Sequence, residues 1–513
     1  MNQRLSEPFR WGLLKRYVPR VRFAYAQLQN NKGHDMVVNP ATVLTLIDGV
    51  RIVVPDSLDR ITPYILREQL DFFEDELKFV RTLVQAGQNV IDIGANYGVY
   101  TLPMAAKIGP KGHVWAFEPA SSTAQFLSQG IKANAFENVT LLQKAVSSQS
   151  GSAHLSLQHN SELNSIMHDQ DSAAESETVS LVTLDDCMDR FHWRDIDLIK
   201  IDAEGEENNI LKGGHRFFAD RTPLVQFELR KDASTMNFGL IKEFAALGYD
   251  SYRLVPGLDV LVPFSANVKP DPYLLNLFCC KGDRASQLSK LGVLVRAADM
   301  LAKKDQLDAV RAQIDAGANY HWLLSLAHLP YAVSLSPAWR AAEKDSQNPV
   351  LIQALSLYAR SRDKTLSALE RYRALESSFL ALKQVCDREP RRLRLASLAR
   401  VAHDYGERAS SVGALKQLLA LIRQSGIDPQ EPFLAPLERF ESIPTENDVA
   451  RWLVAGVLEQ LELREWYSTF YAGPSARGRL EDIHRLALGS PEMNRRLDLV
   501  RRRINEANQK KLG

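Results

Sequence analysis

The stretch Val90-Ile91-Asp92-Ile93-Gly94-Ala95-Asn96-Tyr97-Gly98 joins an apolar strand to a turn of small residues that opens a helix. Gly94 and Gly98 allow close approach of a ligand to the backbone and positive φ where the turn needs it. The helix start behind them offers unpaired amides and the positive end of a dipole. Asn96 stands where a three-glycine dinucleotide fingerprint has its central glycine, which disfavours a nicotinamide-dependent oxidoreductase. Asp92 would repel a pyrophosphate, whereas a ligand carrying an ammonium group would find a partner in it.

Working outward, strands and helices alternate. Val114–Phe117 reads as the next strand, residues 122–135 as a helix, residues 138–143, 198–201 and 224–227 as further strands, and a helix runs through Leu211 between the last two. The pattern predicts a mostly parallel sheet covered on both faces. The helix predicted over 97–108 contains Pro103, which should kink it or delay its start, and Gly109-Pro110 ends it. At the end of the second strand, Trp115-Ala116-Phe117-Glu118-Pro119 places Glu118 20 residues beyond Gly98. That is where α/β nucleotide sites keep an acid for ribose hydroxyls. Pro119 turns the chain beside it. Lys144-Ala145-Val146, just past the third strand, is the candidate wall for a base, with Ala145 at its centre.

A third signal is Asp197-Leu198-Ile199-Lys200-Ile201-Asp202-Ala203-Glu204-Gly205-Glu206-Glu207, a buried strand ending in acids. Strand carboxyl ends are where such sheets bind ligands, and crowded carboxylates repel one another and shift towards general-base behaviour. Asp202 and Glu204 are therefore candidate bases. Glu206 and Glu207 also suit a plain helix N-terminus. Phe227-Glu228 closes the next strand and adds Glu228 to the rim, with His159 and His168 as reserve bases on a polar loop over 158–178. S-adenosylmethionine (SAM) carries a ribose, an ammonium and a sulfonium, and it fits the set Asp92, Gly94, Asn96, Gly98, Glu118, Pro119 and Ala145. Many carboxylates could hold a metal, but no motif calls for one.

Together Asp92–Gly98, Phe117-Glu118-Pro119, Ile199–Glu207 and Phe227-Glu228 resemble the FkbM family of SAM-dependent methyltransferases over residues 70–280. Ala203 stands where the family often has Val. The resemblance implies a class I (Rossmann-like) methyltransferase fold, a seven-stranded sheet with one antiparallel strand. It also implies O-methylation of a hydroxyl on a saccharide or natural product.

The 513-residue chain exceeds one ordinary core, and three parts are expected. Residues 1–69 hold a segment mixing Arg10, Lys15, Arg16, Arg20 and Arg22 with aromatic and apolar residues, then a hairpin turning at Asp48-Gly49. Residues 70–283 hold the methyltransferase domain, beginning with a helix predicted over 65–86 from Phe73, Leu77, Val80 and Val84. Residues 284–513 lose strand signals and read as all-helical, with hints of helix pairs, a periodic stretch over 395–422 and a solvated basic end from Arg495. A formal net charge of +1 gives no drive towards nucleic acid. The N-terminal segment suits packing on its own protein better than peripheral membrane contact. The apolar run around Cys279-Cys280 and the absence of any CxxC pair suit buried thiols in a reducing cytoplasm. A glycan or small-molecule acceptor is expected, with the helical half available to a protein partner. The competing class is a helical scaffold carrying a methyltransferase-like domain, and a protein or lipid acceptor is the remaining variant.

Overall fold

The computed structural model describes residues 40–166, 175–229, 238–302, 325–337, 339, 349–422, 431–446 and 448–512. The N-terminal basic segment and His168 lie outside them. The strands are β1 (Ala41–Thr45), β2 (Arg51–Pro55), β3 (Asn89–Ile93), β4 (His113–Phe117), β5 (Val139–Leu142), β6 (Ala145–Val146), β7 (Gly151–Ser156), β8 (Ser165–Ile166), β9 (Ser176–Val182), β10 (Leu198–Ile201), β11 (Leu224–Glu228), β12 (Asp250–Val255), β13 (Val260–Pro263) and β14 (Asn276–Cys280). Among the helices, α1 is Ile61–Gln69, α2 Asp75–Leu83, α3 Thr101–Ile108 and α4 Ser121–Ala133.

The main sheet runs β13-β12-β14-β11-β10-β3-β4-β5. Neighbours from β11 to β5 are parallel, and β14 lies antiparallel between β11 and β12. This is the expected seven-stranded arrangement with one antiparallel strand. An eighth, β13, is added by a hairpin from β12. Continuous apolar runs suit strands buried on both faces: β10 is buried along its whole length, and β3 from Val90 to Ile93. The register pairs Ile201 with Ile93 and Ile93 with Phe117, so the carboxyl ends of β3, β4 and β10 stop level. The strand order reverses between β3 and β10, and a ligand crevice opens at such a switch point.

Several elements differ from the sequence reading for local reasons. The helix predicted over 65–86 is two helices, α1 and α2. Leu70 adopts a left-handed conformation (φ 56°), and its N–H closes on Leu66. Leu77, Val80 and Val84 are buried as expected, but Phe73 falls in the break. α3 starts at Thr101 rather than Tyr97, leaving Pro103 in the first turn, where a missing N–H costs nothing. The polar stretch 158–178 is not a simple loop: β9 begins inside it and pairs with β7 and β6 in a second, four-stranded sheet with β8.

Beyond β14 the described residues are helical. Helices Pro349–Ser361 and Ala368–Arg388 pack as a pair. The stretch 395–422 divides into Arg392–Tyr405 and Arg408–Ile422, because Gly406 (φ 93°) ends the first helix. Tyr331 stacks on Trp452 in the helical core, ring centroids 5.2 Å apart. Val255, Val260 and Val262 of β12 and β13 belong to that same apolar cluster. The basic C-terminus is not merely solvated. Helix Pro491–Leu512 buries Met493, Leu497, Leu499 and Val500, and Arg496 is 1% exposed. No described helix is long and apolar enough to cross a membrane. All four cysteines are free and buried.

Candidate active site

A cavity of about 220 Å³ opens at the carboxyl ends of β3, β4, β10 and β11. Gly94 (φ 76°) lets two strand ends meet, since a Cβ there would collide with the Asp202 carbonyl oxygen. Asn96 is also left-handed (φ 50°), a conformation Asn tolerates better than most residues. Its backbone N–H donates to Glu118 Oε2 at 2.9 Å, and the Ala120 N–H donates to Oε1 at 3.0 Å. Both oxygens of Glu118 are thereby fixed at the cavity wall, and burial pushes its carboxyl up to about 7. Pro119 and the run Lys144, Ala145 and Val146 continue this wall.

Asp92 and Gly98 do not line the cavity. Asp92 is fully buried. Its Oδ2 accepts from Thr101 Oγ1 at 2.6 Å, and its Oδ1 faces Lys200 Nζ at 3.7 Å. The acid expected to meet a ligand ammonium is thus occupied by the protein's own ammonium. Gly98 is needed for packing, because a Cβ would collide with Leu127 and Leu102.

The acids on β10 and β11 do converge. Ligand oxygens of Asp202, Glu204 and Glu228 lie within 4.8 Å of one another, close enough to hold a cation between them. Glu204 (φ 40°) and Gly205 (φ 108°) form the tight turn that brings the second acid round. Lys200 Nζ sits 3.2 Å from Asp202 Oδ2 and 3.2 Å from the Gly94 carbonyl oxygen. Burial works against the ammonium, but Asp202, Asp92 and Glu74 keep it charged. Glu228 is held well above the carboxylate range by burial, then by Asp202 and Glu204. Glu206 also lines the cavity and accepts from Ser147 Oγ at 2.7 Å, while Glu207 accepts from the Gly205 N–H. His159 is exposed and off the cavity.

Sequence reasoning missed several wall residues. Glu74 and Phe73 come from the break between α1 and α2. Tyr100 donates its hydroxyl to Glu74 and receives Gln226 Nε2 at 2.8 Å. Glu162 enters from the polar stretch, and Tyr467 and Tyr471 arrive from the helical half. Only the aromatic density of Trp466–Tyr471 hinted at the last two. Seven carboxyl groups (Glu74, Glu118, Glu162, Asp202, Glu204, Glu206, Glu228) line the cavity against two lysines, Lys144 and Lys200. Such a lining rejects a polyphosphate and suits a nucleoside bearing cationic groups. SAM is such a nucleoside, and Glu118 and the Gly94–Asn96 turn stand side by side on the cavity wall.

Residues 92–251 match the methyltransferase FkbM domain. No curated protein matches. Among solved structures, the chain is similar to a methyltransferase FkbM from Methylobacillus flagellatus KT, at 16% identity over 40% of this chain and 48% of that one, TM-score 0.29. A putative rRNA methylase from Clostridium thermocellum aligns at 10% identity over 41% of this chain and 95% of its own, TM-score 0.26. A SAM-dependent O-methyltransferase from Thermotoga maritima aligns at 14% identity over 50% and 86%, TM-score 0.24. Over residues 92–251 the chain therefore carries a methyltransferase domain of the FkbM family, whose cofactor is SAM.

Proposed function

We propose that this protein transfers the methyl group of SAM to a hydroxyl oxygen of a saccharide or a related hydroxylated natural product. The observation that carries the reading is the convergence of Asp202, Glu204 and Glu228 beside Lys200, at the strand ends next to the Glu118 wall. Hydroxyls are weak nucleophiles at neutral pH, so a base at the point of transfer helps. A rim of carboxylates also offers many acceptors to a ligand rich in O–H donors. Bound SAM supplies an electrophilic methyl group. The chain's part is to hold, orient and deprotonate. Glu118 accepts from the ribose hydroxyls, and the Gly94–Asn96 turn lets the cofactor approach the backbone. Asp202, oriented by Lys200, would take the proton of the acceptor hydroxyl as the C–O bond forms and the methyl–sulfur bond breaks to leave S-adenosylhomocysteine, then pass it to solvent at its exposed side. Glu228, which burial and its acidic neighbours hold well above the carboxylate range, stands beside it to hydrogen-bond a neighbouring acceptor oxygen.

Calorimetric titration of SAM and NAD into the wild type and Glu118→Ala tests the cofactor end. Micromolar SAM binding that is lost or much weakened in the variant, with no NAD binding, is expected. A well-folded wild type that ignores SAM would sink the reading and favour a scaffold. For the acceptor end, label transfer from methyl-tritiated SAM to a panel of mono- and oligosaccharides is compared between wild type and Asp202→Asn. A loss of roughly 10²–10⁴-fold with cofactor affinity retained is expected of a general base. Transfer to protein or lipid fractions alone would reassign the acceptor.

A further inference from the structure

Glu162 stands in the segment between β7 and β8 that crosses the cavity, on a single 3-10 turn, Ser161–Leu163. Two side chains of this segment cap α1 from a distance of about a hundred residues in sequence. Asn160 Oδ1 accepts from the Ile61 N–H at 3.0 Å, and Glu162 Oε1 accepts from the Thr62 N–H at 3.1 Å and from its hydroxyl. These are the first two amides of α1, and Arg60 at the N-cap supplies no side-chain acceptor for them. A remote cap needs one carboxylate oxygen. The other, Glu162 Oε2, is buried and has no hydrogen-bond partner.

A buried, unpaired carboxylate oxygen is costly, and a natural protein keeps one where something else completes it. Its position narrows what that is. Ser161 Oγ, one residue away, donates to Asn96 Oδ1 at 3.1 Å, which places Glu162 beside the Gly94–Asn96 turn. The protein cation that acts on it is Arg60, which makes no ion pair or hydrogen bond with it among the described contacts and is only a weak counter-charge. The other acids near this turn are committed. Asp92 holds Thr101 and faces Lys200, Asp202 is paired with Lys200, and Glu118 is fixed by two backbone amides.

We infer that Glu162 is the carboxylate that receives the α-ammonium of the SAM methionyl group, so that one side chain caps α1 with one oxygen and binds the cofactor with the other. The inference rests on the cofactor alone and is independent of the acceptor. Ionised Glu162 attracts the ammonium and gives it the acceptor that Asp92 cannot. Its second role fastens the crossing segment to α1, so the binding group is held in place before the cofactor arrives.

Glu162→Gln separates the two roles. The amide oxygen still accepts from Thr62, while the charge is gone and an NH₂ faces the cavity. The full-length wild type and variant are titrated calorimetrically with S-adenosylhomocysteine, which carries the ammonium, and with 5′-methylthioadenosine, which lacks the amino-acid end. The variant is expected to lose about tenfold or more in affinity for the first and to change less than about twofold for the second. Retained methylthioadenosine binding also reports that the fold is intact, with thermal melting as a second check. Equal weakening of both ligands, or weakening of neither, overturns the inference and leaves Glu162 a helix cap. If the wild type binds neither ligand, the cofactor reading itself falls, and this assignment with it.

Discussion

Glu118 is held by two amides and lifted to about 7 by burial, so its charge is poised at physiological pH. The direction of the pH effect follows. In the proposed reading ribose hydroxyls donate to the ionised carboxylate, so affinity should be full above pH 7 and fall as pH drops through it. For a group titrating near 7 in the free protein, S-adenosylhomocysteine should bind about tenfold more weakly at pH 6 than at pH 8. Most of that slope should vanish in Glu118→Gln, which binds weakly at both. Calorimetry at the two pH values checks this, and an unchanged slope in the variant would assign the titration to another acid. At the residue scale, position on the cavity was partly legible. Glu118, Asp202, Glu204 and Glu228 were readable because strand ends pointed at them, and all four line the cavity. Asp92 was misplaced because sequence shows that an acid ends a strand but not that Lys200, one strand away in register, neutralises it. Glu162 was invisible, since its meaning lies in a contact with Thr62 across the fold.

Among elements, β10 was readable to the residue because a run of apolar and β-branched residues has few alternatives. The break between α1 and α2 was not, because Leu70 takes a left-handed conformation without the Gly or Asn that advertises one. β13 was missed for a different reason: its Val260 and Val262 pack into the apolar cluster of the helical half. The turn joining it to β12 docks on the helical half, where the Gly257 N–H donates to the Asp404 carbonyl at 2.9 Å and Arg253 Nη1 to that of Tyr405 at 2.8 Å. A Cβ at Gly257 would collide with the Asp404 side chain. Gly257→Ala should therefore destabilise this contact by about 1–3 kcal/mol, the usual cost of overpacking. The collision is remote from Glu118 and the Gly94 turn, so a lowered melting temperature should come with unchanged cofactor affinity. A variant melting like the wild type would show that the turn yields without cost.

At the scale of the whole molecule, α1 joins the cavity's two unforeseen walls. Its first turn holds the segment bearing Glu162, and its last turn holds the segment bearing Tyr467 and Tyr471. Glu68 accepts from Ser468 Oγ at 2.6 Å and from Thr469 Oγ1 at 2.8 Å, and Gln69 Nε2 donates to the Tyr467 carbonyl at 2.8 Å. Glu68 in turn pairs with Arg496 at 3.0 Å, whose guanidinium also meets Glu492 at 2.9 Å and Glu462 at 3.8 Å. Glu68, Glu462 and Arg496 are all essentially inaccessible to solvent. Removing one partner of such a cluster leaves uncompensated buried charge and costs about 3–5 kcal/mol, whereas replacing both partners costs less. Arg496→Met alone should thus melt well below the wild type, and adding Glu68→Gln should recover part of the loss. A double variant no more stable than the single one would show that Glu68 is not the charge Arg496 compensates. Since Tyr467 and Tyr471 wall the cavity through this cluster, the single variant should also lose methyl transfer to the acceptor more than it loses cofactor affinity. That split would make the helical half a working part of the acceptor site. Parallel loss of both would confine it to holding the fold together.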